Sequence, residues 1–170
     1  MESYQIKEME GEAEISGKGY VHYKSWHETY AGLIDEEYLQ GVTLESCIAM
    51  AHRWTGNILV AKEEEKVIGF AAYGPCRDKD LPEYGEVYAI YVLQAHHDRG
   101  IGYGLMNAAF GKLSKYPKIA VWVLRGNERA IRFYKRYGFC MDGSEKEVVL
   151  GTPKTELRMI FERKQDRPSF

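Results

Sequence analysis

EVYAIYVLQAHHDRGIGYGLMNAAFGKL, residues 86–113, is the stretch on which the fold turns. After Glu86 the run to Leu93 is wholly apolar or aromatic, the pattern of a strand buried on both faces in the middle of a sheet. A polar loop, QAHHDRG, follows, and then a helix whose Leu105, Met106, Ala109, Phe110 and Leu113 form one apolar stripe. Gly100, Gly102 and Gly104 alternate where loop becomes helix. Glycine at alternate positions lets backbone amides crowd inward. The first turn of a helix also leaves N–H groups unsatisfied beside a partial positive charge, so the segment suits a phosphate or pyrophosphate. The plainer alternative is a tight strand-to-helix connection that holds nothing.

Downstream, Pro117 separates this helix from KIAVWVL, a second buried strand. NERAIRFYKRYGF then reads as a short helix stopped by Gly138, and two final strands are expected at about Glu145 to Leu150 and Glu156 to Glu162. Upstream, NILVAKEEEKVIGFAAYGP reads as two strands around an acidic hairpin, Glu63 to Glu65, whose charges discourage edge pairing. The first third is helical after a short strand near Tyr4 to Lys7: Lys18 to Leu33 carries Val21, Trp26, Tyr30 and Leu33 at mostly helical spacing, and Thr43 caps a second helix reaching Trp54. The order predicts an α/β sheet with helices on its faces.

A chain of 170 residues points to a single domain spanning 1–170, and 45% hydrophobic with 28% charged residues is ordinary globular composition. Lys+Arg 23 against Asp+Glu 25 leaves a net charge of −2, so no global positive field favours nucleic acid or an anionic membrane. Cys47, Cys76 and Cys140 are far apart with no CxxC pair, as expected of core residues or free thiols. His96 and His97 read as solvated loop residues, and no metal is expected. The opening MESYQIKEME lacks an apolar signal region, and the expectation is a soluble cytoplasmic protein.

A Walker A loop needs GxxxxGK[ST], which is absent, and the dinucleotide fingerprint GxGxxG fails at Leu105 when counted from Gly100. The segments AIYVLQAHHDRGIGYGLM and GNERAIRFYKRYGF instead resemble the two signature segments of the GCN5-related N-acetyltransferases. The N-terminal run SWHETYAGLIDEEYL resembles a bacterial subset of these enzymes that shares no one substrate.

The resemblance implies an acyl-CoA N-acyltransferase fold: a mixed, mostly antiparallel central sheet flanked by helices. It implies acetyl-CoA as cosubstrate, with His97, Asp98, Arg99, Gly100, Ile101, Gly102, Tyr103 and Gly104 as the pyrophosphate loop. His97 stands where the family usually has glutamine or arginine. Arg99 is expected to balance phosphate charge and Asp98 to oppose it, leaving the loop's affinity mainly to amides. The backbone of Ile90, Tyr91 and Val92 would take the pantetheine arm as an added strand, with an amide near Val92 facing the thioester carbonyl. Tyr134 matches the tyrosine beside the leaving sulfur. Asn127 matches the asparagine near the pantetheine, and it is also placed to cap the helix after it.

Glu86, eleven residues before His97 (97 − 86), matches the carboxylate that takes the amine proton, often through water. By the two-residue strand period it is expected on the face of Tyr88, Ile90 and Val92. Its bland alternative is a solvated residue at a strand end. Trp26, Tyr30 and Tyr88 are candidates for the acceptor pocket, against plain core packing.

The expected activity is acetyl transfer to a primary amine, small-molecule or peptide, by direct attack in a ternary complex. Cys76 and Cys140 lie outside the matched positions, so no acetyl-enzyme is expected. The rivals are a non-catalytic acyl-CoA sensor, which would need neither Glu86 nor Tyr134, and a nucleotide-binding oxidoreductase. Neither nucleic acid nor membrane is an expected partner. A homodimer is the oligomer that family habit suggests.

Overall fold

In the computed structural model, which describes residues 3–164, the chain runs β1 (Gln5–Glu8), α1 (Gly11–Tyr30), α2 (Glu36–Gln40), α3 (Leu44–Arg53), β2 (Ile58–Glu63) and β3 (Lys66–Pro75). It continues β4 (Gly85–Val92), a 3-10 turn at Gln94–His96, α4 (Ile101–Lys112), β5 (Lys118–Leu124), α5 (Glu128–Tyr137), β6 (Cys140–Leu150) and β7 (Thr152–Glu162). The strands form one seven-stranded sheet in the order β1-β2-β3-β4-β5-β7-β6. Every neighbouring pair is antiparallel except β4 and β5. A mixed, mostly antiparallel sheet is therefore the architecture, as the resemblance implied.

Alternation along the strands divides the core between two faces. Ile68, Val87 and Val121 pack with Leu105, Met106 and Phe110 of α4 and with Ile131 and Tyr134 of α5. On the opposite face Val60 and Phe70 pack with Val21 of α1, and farther along Leu124 meets Ile34 and Leu39. Helix α3 crosses α1 closely at Gly19, where a methyl group would lie 2.7 Å from the Ile48 Cα.

Local signals set several boundaries. Thr43 and Ser46 form a reciprocal capping box at the start of α3, and such caps are typically worth about 1 kcal/mol. Gly138 ends α5 at φ +126. Helix α1, however, begins at Gly11 rather than Lys18, because its inward face carries Glu14, Lys18 and Ser25. Glu14 is bound by Lys7 and Lys62, at 2.9 and 3.0 Å, so a buried polar face hides the apolar period. The short α2, capped by Asp35 accepting from the Tyr38 N–H, was not anticipated. Strands β6 and β7 begin five and four residues earlier than expected (145 − 140 and 156 − 152), through exposed polar sequence that gives no strand signal. No helix among the described residues is long and apolar enough to cross a membrane.

Candidate active site

Strands β4 and β5 bridge only at Gly85–Ile119 and Glu86–Ala120, then diverge. β5 is instead paired along its length with β7, from Lys118–Glu162 to Leu124–Glu156. The cleft between the diverging ends has a volume of about 540 Å³ and is lined from β4 by Ile90, Tyr91 and Val92.

The register identifies which main-chain groups enter that cleft. Leu93 N–H donates to Ile68 O at 3.0 Å. Val92–Gly69 is consequently a pair without mutual hydrogen bonds, and so is Ile90–Ala71. The N–H and C=O of Ile90 and Val92 thus turn away from β3, into the space β5 has left. An incoming extended chain finds strand-like partners there.

The same register corrects the expected face of Glu86. Ala72 opposes Ala89 but Tyr73 opposes Val87, so Tyr88 is an extra residue, a β-bulge. The bulge reverses the alternation: Ile90 and Val92 pack toward α4, whereas Gly74, Glu86's partner, lies on the α1 side with Ala72 and Phe70. Glu86 does not line the cleft. It is only 1% exposed, its Oε2 taking Arg77 Nη2 at 2.7 Å and its Oε1 taking the Arg77 backbone N–H at 3.0 Å. Arg77 also lies over the Tyr88 ring, 4.2 Å from its centroid, so this cluster anchors the β3–β4 loop at the vertex of the split sheet. Burial pushes the neighbouring Cys76 thiol up to about 11, which disfavours a nucleophilic thiolate there.

Beyond β4 the chain turns left-handed at Asp98, φ +62, and again at Gly100, φ +77, which caps α4. Gly104 N–H bonds to Gly100 O at 2.9 Å, while Ile101, Gly102 and Tyr103 precede the first intrahelical donor and line the cleft. Gly104 itself does not line it. A methyl there would lie 2.8 Å from Ile6 Cδ1, so this glycine serves the approach of β1. Arg99 also lies outside the lining, bonding Glu63 at 2.8 Å and His96 at 2.7 Å. Glu63 is thus more than a solvated hairpin tip, since it ties the hairpin to the glycine loop. The cations that do line the cleft are Arg129 and Arg136, seven residues apart on α5, with Arg129 3.4 Å from Asp98. Neither was among the expected site residues, although their i, i+7 spacing with Phe133 between them marks one helical face.

Helix α5 presents Tyr134 to the cleft. Asn127 caps it, accepting from Ala130 N–H at 3.3 Å, and lines the cleft as well. Tyr134 is 7% exposed, and its hydroxyl has no hydrogen-bond partner among the described residues. Burial, and then the nearby Tyr30, push this phenol's pKa above its ordinary value, which keeps it a donor.

Trp26, Tyr30 and Tyr88 lie outside this lining. Trp26 and Tyr30 stack edge to face at 4.8 Å and pack on the Ile34, Leu39 and Leu124 cluster. Tyr30 still reaches the cleft wall through a 3.0 Å hydroxyl contact with Tyr91. Among the described residues no group of His, Cys, Asp and Glu could hold a metal.

A sheet split between a parallel pair, with main-chain groups on one lip and a helix N-terminus at its end, is the frame of an acyl-transferring fold. The sequence profile of the acetyltransferase (GNAT) family matches residues 20–139, and the chain belongs to that family. An uncharacterised N-acetyltransferase of Bacillus subtilis is 32% identical over 149 residues, covering 78% of this chain and 84% of its own length. Among solved structures, a Pyrococcus horikoshii protein superposes with a TM-score of 0.74 at 20% identity, over 96% of this chain and 100% of its own. The PaiA N-acetyltransferase of Thermoplasma acidophilum, solved in complex with coenzyme A, gives 0.71 at 22% identity over 94% and 99%. These two structural likenesses speak to the fold alone.

Proposed function

We propose that the protein transfers an acetyl group from acetyl-CoA to a primary amine by direct attack within a ternary complex. The reading is carried by one coincidence. A single cleft joins the main-chain groups of Ile90 and Val92, the loop amides at the start of α4, and an unpartnered Tyr134 hydroxyl. These residues fit a long thioester ligand with a diphosphate: the amides and the helix terminus suit the anion, Arg129 and Arg136 add positive charge, and the strand lip suits an amide-bearing arm. The coenzyme A complex of the Thermoplasma protein supports the same ligand class.

In this reading one lip amide, near Val92, is the donor for the oxyanion that develops as the amine adds to the thioester carbonyl, and the other outward main-chain groups of Ile90 and Val92 take the pantetheine arm. One such donor is typically worth about 2.7–4 kcal/mol in the transition state. The new N–C bond forms, the C–S bond breaks, and Tyr134 donates to the departing sulfur. The amine's proton leaves through water on the α1 side, where Glu86 is assigned as its acceptor. That assignment requires Arg77, whose side chain is 62% exposed, to yield part of its hold. The acceptor is a small-molecule or peptide amine.

The test is the melting temperature with saturating acetyl-CoA against NADH, followed by thiol release across a panel of amines. Ligand at about 100 times its dissociation constant stabilises by roughly 2.7 kcal/mol, a clear rise. A rise with acetyl-CoA alone, and thiol release dependent on an amine, are expected. No rise, or one with NADH only, overturns the reading.

A further inference from the structure

One side chain ties the strand lip to the glycine loop. His97 Nε2 lies 2.8 Å from the Val92 carbonyl oxygen. A carbonyl only accepts, so this ring nitrogen carries the hydrogen. The ring folds back across its own turn, which is closed by His96 N–H on Leu93 O at 2.8 Å and His97 N–H on Gln94 O at 3.1 Å. The carbonyl it holds is one of those that turn from β3 into the cleft, and the residue after it, Asp98, begins the left-handed path to Gly100. His97 therefore bridges two segments that would contact opposite halves of one long ligand.

We propose that His97 is a positioning residue, a latch that fixes the distance between strand β4 and the loop amides so that acetyl-CoA engages both at once. The inference rests on the acetyl-CoA reading above. Its content is linkage. Two subsites held at the right separation bind a two-part ligand far more tightly than either part alone, and loosening that separation weakens the whole ligand while sparing the parts. The Val92 carbonyl has two lone pairs, so the ring occupies one and leaves the other to an incoming amide N–H.

The experiment titrates the full chain and its His97→Ala and His97→Gln variants by calorimetry. The ligands are acetyl-CoA and 3′-phosphoadenosine 5′-diphosphate, which carries the nucleotide half without the pantetheine arm; unliganded melting temperatures report folding. His97→Ala is expected to bind acetyl-CoA roughly fivefold to tenfold more weakly, the range of one lost hydrogen bond with its ordering, and the nucleotide half as the wild type does. In turnover, KM for acetyl-CoA rises more than kcat falls. His97→Gln, whose side-chain N–H can reach the same carbonyl, restores acetyl-CoA affinity to within about twofold of wild type. Equal or tighter acetyl-CoA binding by His97→Ala makes the ring idle or obstructive and overturns the latch. Equal loss for both ligands reduces His97 to a support of the loop and overturns it too. A wild-type chain that binds neither ligand overturns the proposed function itself and takes the latch with it, so the two failures are distinct.

Discussion

On the α4–α5 side of the split sheet the groups that meet the cleft are main-chain amides, a helix terminus and an unpartnered phenol. On the α1 side the charged groups near the vertex are already engaged. Glu86 is held by Arg77, and Arg158 binds Asp142 at 2.7 Å, Asp80 at 2.8 Å, Asp78 at 3.1 Å and Ser144 at 2.8 Å. Asp78 in turn takes the Trp122 indole N–H at 2.9 Å. The contrast separates two tasks. The first side presents main-chain groups and, in the proposed function, most of the affinity for acetyl-CoA comes from them. The second is a self-satisfied scaffold that ties the β3–β4 loop to the β6–β7 hairpin.

The sharpest way to break this contrast is to remove Arg158, which is 5% exposed among its three aspartates. Arg158→Ala leaves the partly buried carboxylates of Asp78 and Asp142 without their counter-ion. A large fall in melting temperature is expected, with acetyl-CoA affinity of the folded protein unchanged. The pH dependence has a definite sign. Hydrogen bonding to Arg158 lowers the pKa of Asp80, so the pair's stabilisation is present at neutral pH and lost as pH falls through the folded-state value. Denaturant titrations should accordingly show the gap between wild type and variant narrowing below the ordinary aspartate range. A gap that widens on acidification would remove this account.

Tyr134→Phe probes the other side. It deletes a hydroxyl that bonds no group among the described residues, so packing against Phe133 and Phe139, at 5.6 and 5.7 Å between centroids, survives. Turnover is expected to fall about 100-fold, at the low end of general-acid effects, with acetyl-CoA affinity within about twofold of wild type. Undiminished turnover would leave Tyr134 a packed aromatic and reopen the sensor reading.

The same contrast explains what could be read from the residues. The cleft side, to which the proposed function assigns the cofactor, lies in two short segments, and its determinants are local: apolar strand, turn, glycines, helix, Asn127 cap. Thr43 and Gly138 mark their boundaries for the same reason. The α1 side is made by pairs far apart in the chain, such as Arg158 with Asp78 and Asp80, and no periodicity announces them. Glu86 is singled out by the family resemblance through its spacing from His97, but the two-residue rule misplaces its face, because one inserted residue, Tyr88, undoes a rule that assumes an unbroken strand. Arg129 and Arg136 were legible as a helical face. Arg99, the loop's own expected counter-charge, instead has its guanidinium on Glu63 at 2.8 Å.

Glu86→Gln has the smallest expected effect and refines the contrast most finely, since this residue belongs structurally to the scaffold and chemically to the proposed reaction. Gln keeps an acceptor oxygen for the Arg77 backbone N–H but sets an amide against the guanidinium, so some loosening of the β3–β4 loop follows in any case. A merely mechanical loosening lowers kcat/KM for the amine by the same factor at every pH. Loss of a proton acceptor acts differently. At low pH the amine arrives charged and needs a base, whereas near the amine's own pKa solvent suffices. The expected deficit is therefore roughly tenfold below neutrality, because water remains as a weaker base, and it fades as pH rises. A flat ratio of wild type to variant across the pH range would leave Glu86 to the scaffold and give the proton to water alone.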